Sequence, residues 1–277
     1  MSSNRSSPWL YFALAFGWSW LFWVPAALSG QNVMRFPVVT LLVLGGLGPP
    51  LAGILLMYLE QDSEGRRDYW RRVVDFKRIS PAWWAVILLF APVRSLLAII
   101  VGLLAGEPLP AFDTALGLLS EPLSIVPFVV YTLLYGPLPE ELGWRGYALG
   151  RLQEKWSALA SSLVLGVMWG LWHLPMFFME GTYQQAELSV GSMRFWLNFC
   201  VSIVALTILM TWVYNNTRRS ILSAILIHFM GNLMGEVLNL PDQMEYYKAI
   251  VTVVAAIVVV GVWGPRRLSR EQVEEAA

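Results

Sequence analysis

Apolar residues in this chain come in long, nearly unbroken runs, and the polar residues gather between them. A run of about 17–25 apolar residues is long enough to cross hydrocarbon as a helix. Eight stretches qualify: 8–28, 36–59, 81–105, 122–139, 156–179, 195–216, 219–239 and 248–264. The fourth and seventh are the weakest, being short or polar at one end. The first exceeds a signal-peptide core and lacks a strongly basic start, so it predicts a retained helix, although Ala27-Leu28-Ser29 is a passable cleavage motif. The pattern predicts an all-α fold, a polytopic membrane bundle of about eight helices.

Lysine and arginine placement orients that bundle, because cytoplasmic loops carry the excess of positive charge. The 60–80 loop holds Arg66, Arg67, Arg71, Arg72, Lys77 and Arg78. Arg145, Arg151 and Lys155 follow the fourth stretch, Arg218 and Arg219 the sixth, and Arg266, Arg267 and Arg270 the last. The alternate loops are nearly bare, 180–194 holding only Arg194. Eight crossings with both termini in the cytoplasm satisfy every loop. A short chain without large soluble extensions fits a multi-pass protein of a prokaryotic plasma membrane.

Composition agrees with the pattern. Charged residues make up 14%, against about 25% in soluble domains, and the 14 tryptophans suit interfacial belts. Nineteen basic and nineteen acidic residues cancel, so nothing points to nucleic acid, and the lipid bilayer is the expected surrounding. Cys200 is the sole cysteine, which rules out a disulfide within one chain. With no linker, repeat or low-complexity tract, the reading is one integral-membrane domain over 1–277. Residues 64–79 mix arginines with Tyr69, Trp70, Val73, Val74 and Phe76. Their simpler reading is a topology-setting basic loop, and the alternative is an interfacial helix on anionic headgroups. Residues 106–122, with three prolines, read as an external loop.

Ionisable groups are costly in hydrocarbon, by roughly 2.5–3.5 kcal/mol for a central charge, and so mark function. The densest segment is Pro137-Leu-Pro139-Glu140-Glu141-Leu-Gly-Trp-Arg145. Pro139 suits the first turn of a helix. Glu141 and Arg145 stand at i, i+4 and share a face, so they can pair. Glu140 is rotated about 100° away and has no such partner, which suits it to general-base work. The chain has two histidines, His173 and His228, both inside apolar stretches. His228 shares a face with Asn232, whose amide suits steadying an oxyanion beside an imidazole. Each feature has a plainer reading: a surface ion pair, a packing histidine, an inter-helix hydrogen bond. Three separate helices each presenting a polar group inward point to a shared site.

Depth is the awkward point. At about 1.5 Å per residue, His228 lies near 14 Å from Arg219 but His173 near 27 Å from Lys155. The two levels meet if helix five starts with a cytoplasmic turn or two and helix four continues past the glutamates through Tyr147 and Leu149. Other intramembrane chemistries lack their parts. Asp62, Asp68, Asp75, Asp113 and Asp242 all read as loop residues, so a buried aspartyl pair is absent. No H-E-x-x-H zinc helix occurs, and Ser223 beside His228 has no nucleophile motif. Arg94 and Glu236 remain as polar groups without a role, Arg94 as a partner for a buried carboxylate or part of a substrate groove.

The three segments together resemble the CPBP intramembrane endopeptidases, also called Abi or CAAX-protease-like. Their pattern of E-E-x-x-x-R, F-x-x-x-H and H-x-x-x-N on separate helices reads here Glu140-Glu141-Leu-Gly-Trp-Arg145, Trp169-Gly-Leu-Trp-His173 and His228-Phe-Met-Gly-Asn232. The motif-bearing core is about 120–240. Trp169 stands where phenylalanine is usual, a departure that bears on pocket shape more than on catalysis. The resemblance implies an eight-helix bundle with a cavity open to the cytoplasm, cutting near the C-terminus of a membrane-anchored protein or peptide, prenylated or CAAX-like. In that scheme Glu140 and His173 activate water, His228 and Asn232 stabilise the oxyanion, and Glu141 and Arg145 support them. The family is often labelled metalloprotease, so Glu140, His173 and His228 are candidate ligands of a divalent metal such as zinc; a metal-free mechanism uses the same residues. A transporter, or a non-catalytic bacteriocin-immunity or scaffold protein, is the alternative.

Overall fold

The computed structural model describes residues 7–189 and 195–270, and among these residues regular structure is helical throughout. Helix α1 (Pro8–Leu28) starts where the Ser7 side chain accepts from the Trp9 amide and Pro8 takes the first helical position, where no N–H is needed. The second span is two helices, α2 (Val38–Gly46) and α3 (Gly48–Glu60). Pro49 and Pro50 lack the N–H groups that would continue the ladder between them. The third span is α5 (Pro81–Leu104). Residues 64–79 are not a loop: α4 (Ser63–Val74) is capped by Asp62, which accepts from the Gly65 amide at 2.9 Å. The 106–122 stretch likewise holds a helix, α6 (Asp113–Ser120). Of the aspartates read as loop residues, Asp68, Asp113 and Asp242 are helical.

The fourth span departs most from the hydropathy reading, running from Pro122 to Gln153 rather than ending near residue 139. It is broken into α7 (Ile125–Leu134), α8 (Pro137–Gly143), a π-helical turn (Trp144–Ala148) and α9 (Leu149–Gln153). The break falls at Gly136, whose φ of 130° only glycine adopts readily, directly before Pro137. Beyond it come α10 (Ala158–Trp172), a 3₁₀ turn (Leu174–Phe178) and α11 (Tyr183–Ser189). A π-helical stretch (Phe195–Val201) leads into α12 (Ser202–Asn216), followed by α13 (Ile221–Leu238) and α14 (Asp242–Trp263). Eight helical segments among the described residues are long and apolar enough to span a membrane, and this is a multi-pass integral membrane protein. Its outer face is apolar accordingly: Leu21, Leu104 and Ile257 are all exposed.

The core gathers where α1, α3, α8, α10 and α12 meet, around the fully buried Tyr11, Trp144, Arg145 and Trp172. Backbones touch there because side chains are missing. A Cβ on Gly143 would collide with the Pro49 carbonyl and the Tyr11 hydroxyl, and one on Gly53 would come within 2.9 Å of Gly143 Cα. Such small-residue contacts are how membrane helices gain packing without a hydrophobic drive between them. The Trp172 indole is tied down, since an unmade hydrogen bond is expensive away from water. Trp172 Nε1 donates to Ser19 Oγ at 2.7 Å, and Ser19 Oγ donates to the Gly45 carbonyl at 2.6 Å. This chain of bonds holds α10 against α1 and α2, and with it the residue that follows Trp172.

Candidate active site

That residue is His173. It does not lie well inside a helix as the apolar run suggests, but caps the C-terminus of α10. Pro175 lacks the N–H that would continue the α-helical ladder, and the chain tightens into the 3₁₀ turn. The depth difficulty resolves here. Glu140 stands 13 residues before the end of α9 and His173 15 residues after the start of α10. At about 1.5 Å per residue these antiparallel segments bring the two to one level.

Trp169 joins the three motif segments. Its Nε1 donates to Glu140 Oε2 at 2.6 Å, and its carbonyl faces His173 Nδ1 at 2.8 Å. Its ring meets His228 edge-on at 5.1 Å and carries the Arg145 guanidinium 5.1 Å above it. A carbonyl oxygen only accepts, so neutral His173 holds its proton on Nδ1 and presents a lone pair at Nε2. Trp172 and Phe199 pack edge-on against its ring at 4.7 and 5.7 Å, which fixes the imidazole's direction.

Glu141 is fully buried, and its Oε1 accepts from Arg145 Nη1 and faces His228 Nδ1, both at 2.9 Å. The i, i+4 pair is therefore no surface ion pair. It links the glutamate segment to α13 and leaves His228 with Nε2 as its outward nitrogen. Glu140 is 8% exposed. Its Oε1 and Asn232 Nδ2 both lie within 4 Å of the point where a Cβ on Gly136 would stand, so the missing side chain keeps open the space between carboxylate and amide. Glu140, Glu141, Arg145, His173, His228 and Asn232 thus surround one indole and one glycine. Arg94 and Glu236 stand apart in their bonding. Arg94 is buried on α5, donating to Thr252 at 3.3 Å and lying over Phe90, with the Glu245 carboxylate near enough to act on its charge. Glu236 is exposed on α13.

Among the described residues no three His, Cys, Asp or Glu side chains are placed to hold an ion, while protein acceptors engage the Nδ1 of each histidine and leave its Nε2 free. No step below runs through a metal.

Residues 122–234 match a family model described as type II CAAX prenyl endopeptidase, Rce1-like. Over 261 residues the chain is 31% identical to CAAX prenyl protease 2 of Methanococcus maripaludis, an alignment covering 94% of this chain and 95% of that protein. The chain belongs to the CAAX prenyl protease family. It is an intramembrane endopeptidase, and a membrane-associated protein is its kind of substrate. The transporter and immunity-protein readings fall away.

Trp169 was noted in the sequence only as a change of pocket shape. Its indole N–H in an apolar helix was the available signal, because such a group needs an acceptor. Hydrogen bonds to charged groups contribute about 1.5–3 kcal/mol. Trp169→Phe keeps an aromatic ring and removes the donor that holds the Glu140 carboxylate. Peptidase turnover is expected to fall by roughly 10-fold, which that energy range allows, with thermal unfolding lowered by a few degrees. Turnover equal to wild type would show that the bond does not matter to the reaction.

Proposed function

We propose that this enzyme hydrolyses a peptide bond near the C-terminus of a prenylated, CAAX-like protein, using water activated by Glu140 and His173. The supporting observation is the junction at Trp169, which ties an acid, two imidazoles and, through Gly136, an amide from three spans to one place. His173 Nε2, with its lone pair outward, accepts from the water and orients it. Glu140 takes the water proton as the oxygen bonds to the scissile carbonyl carbon. Asn232 Nδ2 donates to the developing oxyanion, and so does His228 Nε2 with the imidazole carrying a proton on both nitrogens beside the Glu141 carboxylate. Collapse of the tetrahedral intermediate breaks the C–N bond, and Glu140 returns its proton to the leaving amine. Glu141 and Arg145 keep His228 in register. The arginine-rich ends of the spans, at Arg66–Arg78, Arg151 and Arg218–Arg219, favour placing the bundle in a plasma membrane with the site open to the cytoplasm.

The test is cleavage of a farnesylated peptide ending in a CAAX sequence by the purified enzyme in nanodiscs, read by mass spectrometry. His173→Ala is expected to lower turnover by about 10²-fold or more, and an unprenylated twin peptide to be cut far more slowly. Equal cutting of both peptides would remove the prenyl group from the proposal; an unimpaired His173→Ala would remove the mechanism. Because the mechanism proposed here runs through no metal, activity is also expected to survive prolonged chelation with o-phenanthroline. Loss that added zinc restores would put a metal into the mechanism.

A further inference from the structure

At the end of the bundle where α3, α9 and α12 terminate, α4 leaves a cleft of about 260 Å³ against them. Its charges do not cancel. Arg151 is neutralised by Glu60 at 2.6 Å and Glu154 at 2.9 Å, and Asp68 is taken up by Arg78 at 2.6 Å. Arg72 donates only to neutral acceptors, the Arg219 carbonyl at 2.8 Å and the Tyr214 hydroxyl. Among the described residues no carboxylate lies within ion-pair distance of Arg72 or Arg219. Arg72 and Arg219 therefore line a cavity beside the ends of three spans, and guanidinium matches phosphate oxygens in pairs. The neighbourhood is amphipathic as well as basic. Trp70, Val74 and Phe76 on and beside α4 are exposed, and so is Leu59 at the end of α3, as in a helix that lies in the interface.

The same helix reaches the catalytic segment. Tyr69, one turn from Arg72, is buried and donates to the Leu142 carbonyl at 2.7 Å. Burial pushes its phenol well above the ordinary value, with Arg72 pulling the other way, so the hydroxyl keeps its proton and stays a donor. Its ring lies so close to Gly146 that a Cβ there would stand 3.0 Å from it. Leu142 is the residue directly after Glu141.

We propose that this cleft binds the phosphate of an anionic lipid and that occupancy steadies the Glu140–Glu141 turn through Tyr69, a positioning residue. The coupling rests on the role proposed above for Glu140; lipid binding does not, and is read separately. Native mass spectrometry of the full chain with phosphatidylglycerol and phosphatidylcholine is expected to show selective retention of phosphatidylglycerol, reduced several-fold in Arg219→Gln. In nanodiscs, raising phosphatidylglycerol from none to about a third is expected to raise wild-type turnover of an uncharged prenylated peptide about 3–10-fold. Arg219→Gln loses that rise. Tyr69→Phe keeps lipid retention and loses the rise, and Gly146→Ala, which displaces the same ring, repeats the result should Tyr69→Phe fold poorly. Equal retention of both lipids, or an undiminished Arg219→Gln, overturns the site. A Tyr69→Phe and Gly146→Ala pair that respond like wild type overturns the coupling. Soluble glycerol phosphate activating as well as the lipid would overturn the lipid as its source.

Discussion

Glu140→Gln is expected to lower peptidase turnover by roughly 10²–10⁴-fold, the usual range for a positioned general base, with little change in folding. The amide keeps the shape of the carboxylate and can still accept from Trp169 Nε1 through its oxygen, the bond that measures 2.6 Å in the native protein. What it loses is the capacity to take a proton from water. Among the described residues Glu140 has no cationic partner in an ion pair; those bonds go to Glu141. The substitution therefore removes the base without breaking the buried pair beside it. Single-turnover cleavage of a lipid-anchored peptide in nanodiscs, at saturating enzyme, separates this chemical step from substrate entry. Turnover within a few-fold of wild type would take the proton-transfer role away from Glu140.

Arg145→Ala is expected to destabilise the fold by about 3–5 kcal/mol, the cost of leaving one member of a buried pair behind. Arg145 and Glu141 are both fully buried and 2.9 Å apart, and the guanidinium also covers the Trp169 ring at 5.1 Å. Its removal leaves Glu141 with His228 alone and opens a void against the indole. The Glu141→Gln/Arg145→Met double variant is expected to cost less than Arg145→Ala, because no uncompensated charge remains. Thermal unfolding in detergent, followed by tryptophan fluorescence, gives both values. A single variant costing under about 1 kcal/mol would mean that water reaches Glu141 and screens it.

Much of this molecule can be read from the order of its residues. All eight apolar runs are helical, because a chain in hydrocarbon must satisfy its backbone within each segment, and no partner is needed to decide that. Pairing of Glu141 with Arg145 was also legible, since i, i+4 spacing on a helix sets it locally. The end of the fourth span was legible only through depth, which required the helix to continue past the glutamates to Leu149. Hydropathy stops at the glutamates, and Gly143 to Gln153 stays helical because α3, α10 and α4 supply partners for polar groups that lipid would not accept. The shape of residues 64–79 depended in the same way on a distant acceptor: Tyr69 finds the Leu142 carbonyl 73 residues away.

The amino-acid sequence alone determined an eight-span helical membrane protein with acid, imidazole and amide groups on three of its helices. Period, length and residue chemistry are local properties that hydrocarbon enforces segment by segment. Only the tertiary structure decided that Trp169 holds Glu140, that His228 turns to Glu141, and that Gly136 leaves room between Glu140 and Asn232. Those choices depend on which donor reaches which acceptor once backbones touch at Gly53 and Gly143. No spacing within a single helix encodes a distance between two of them.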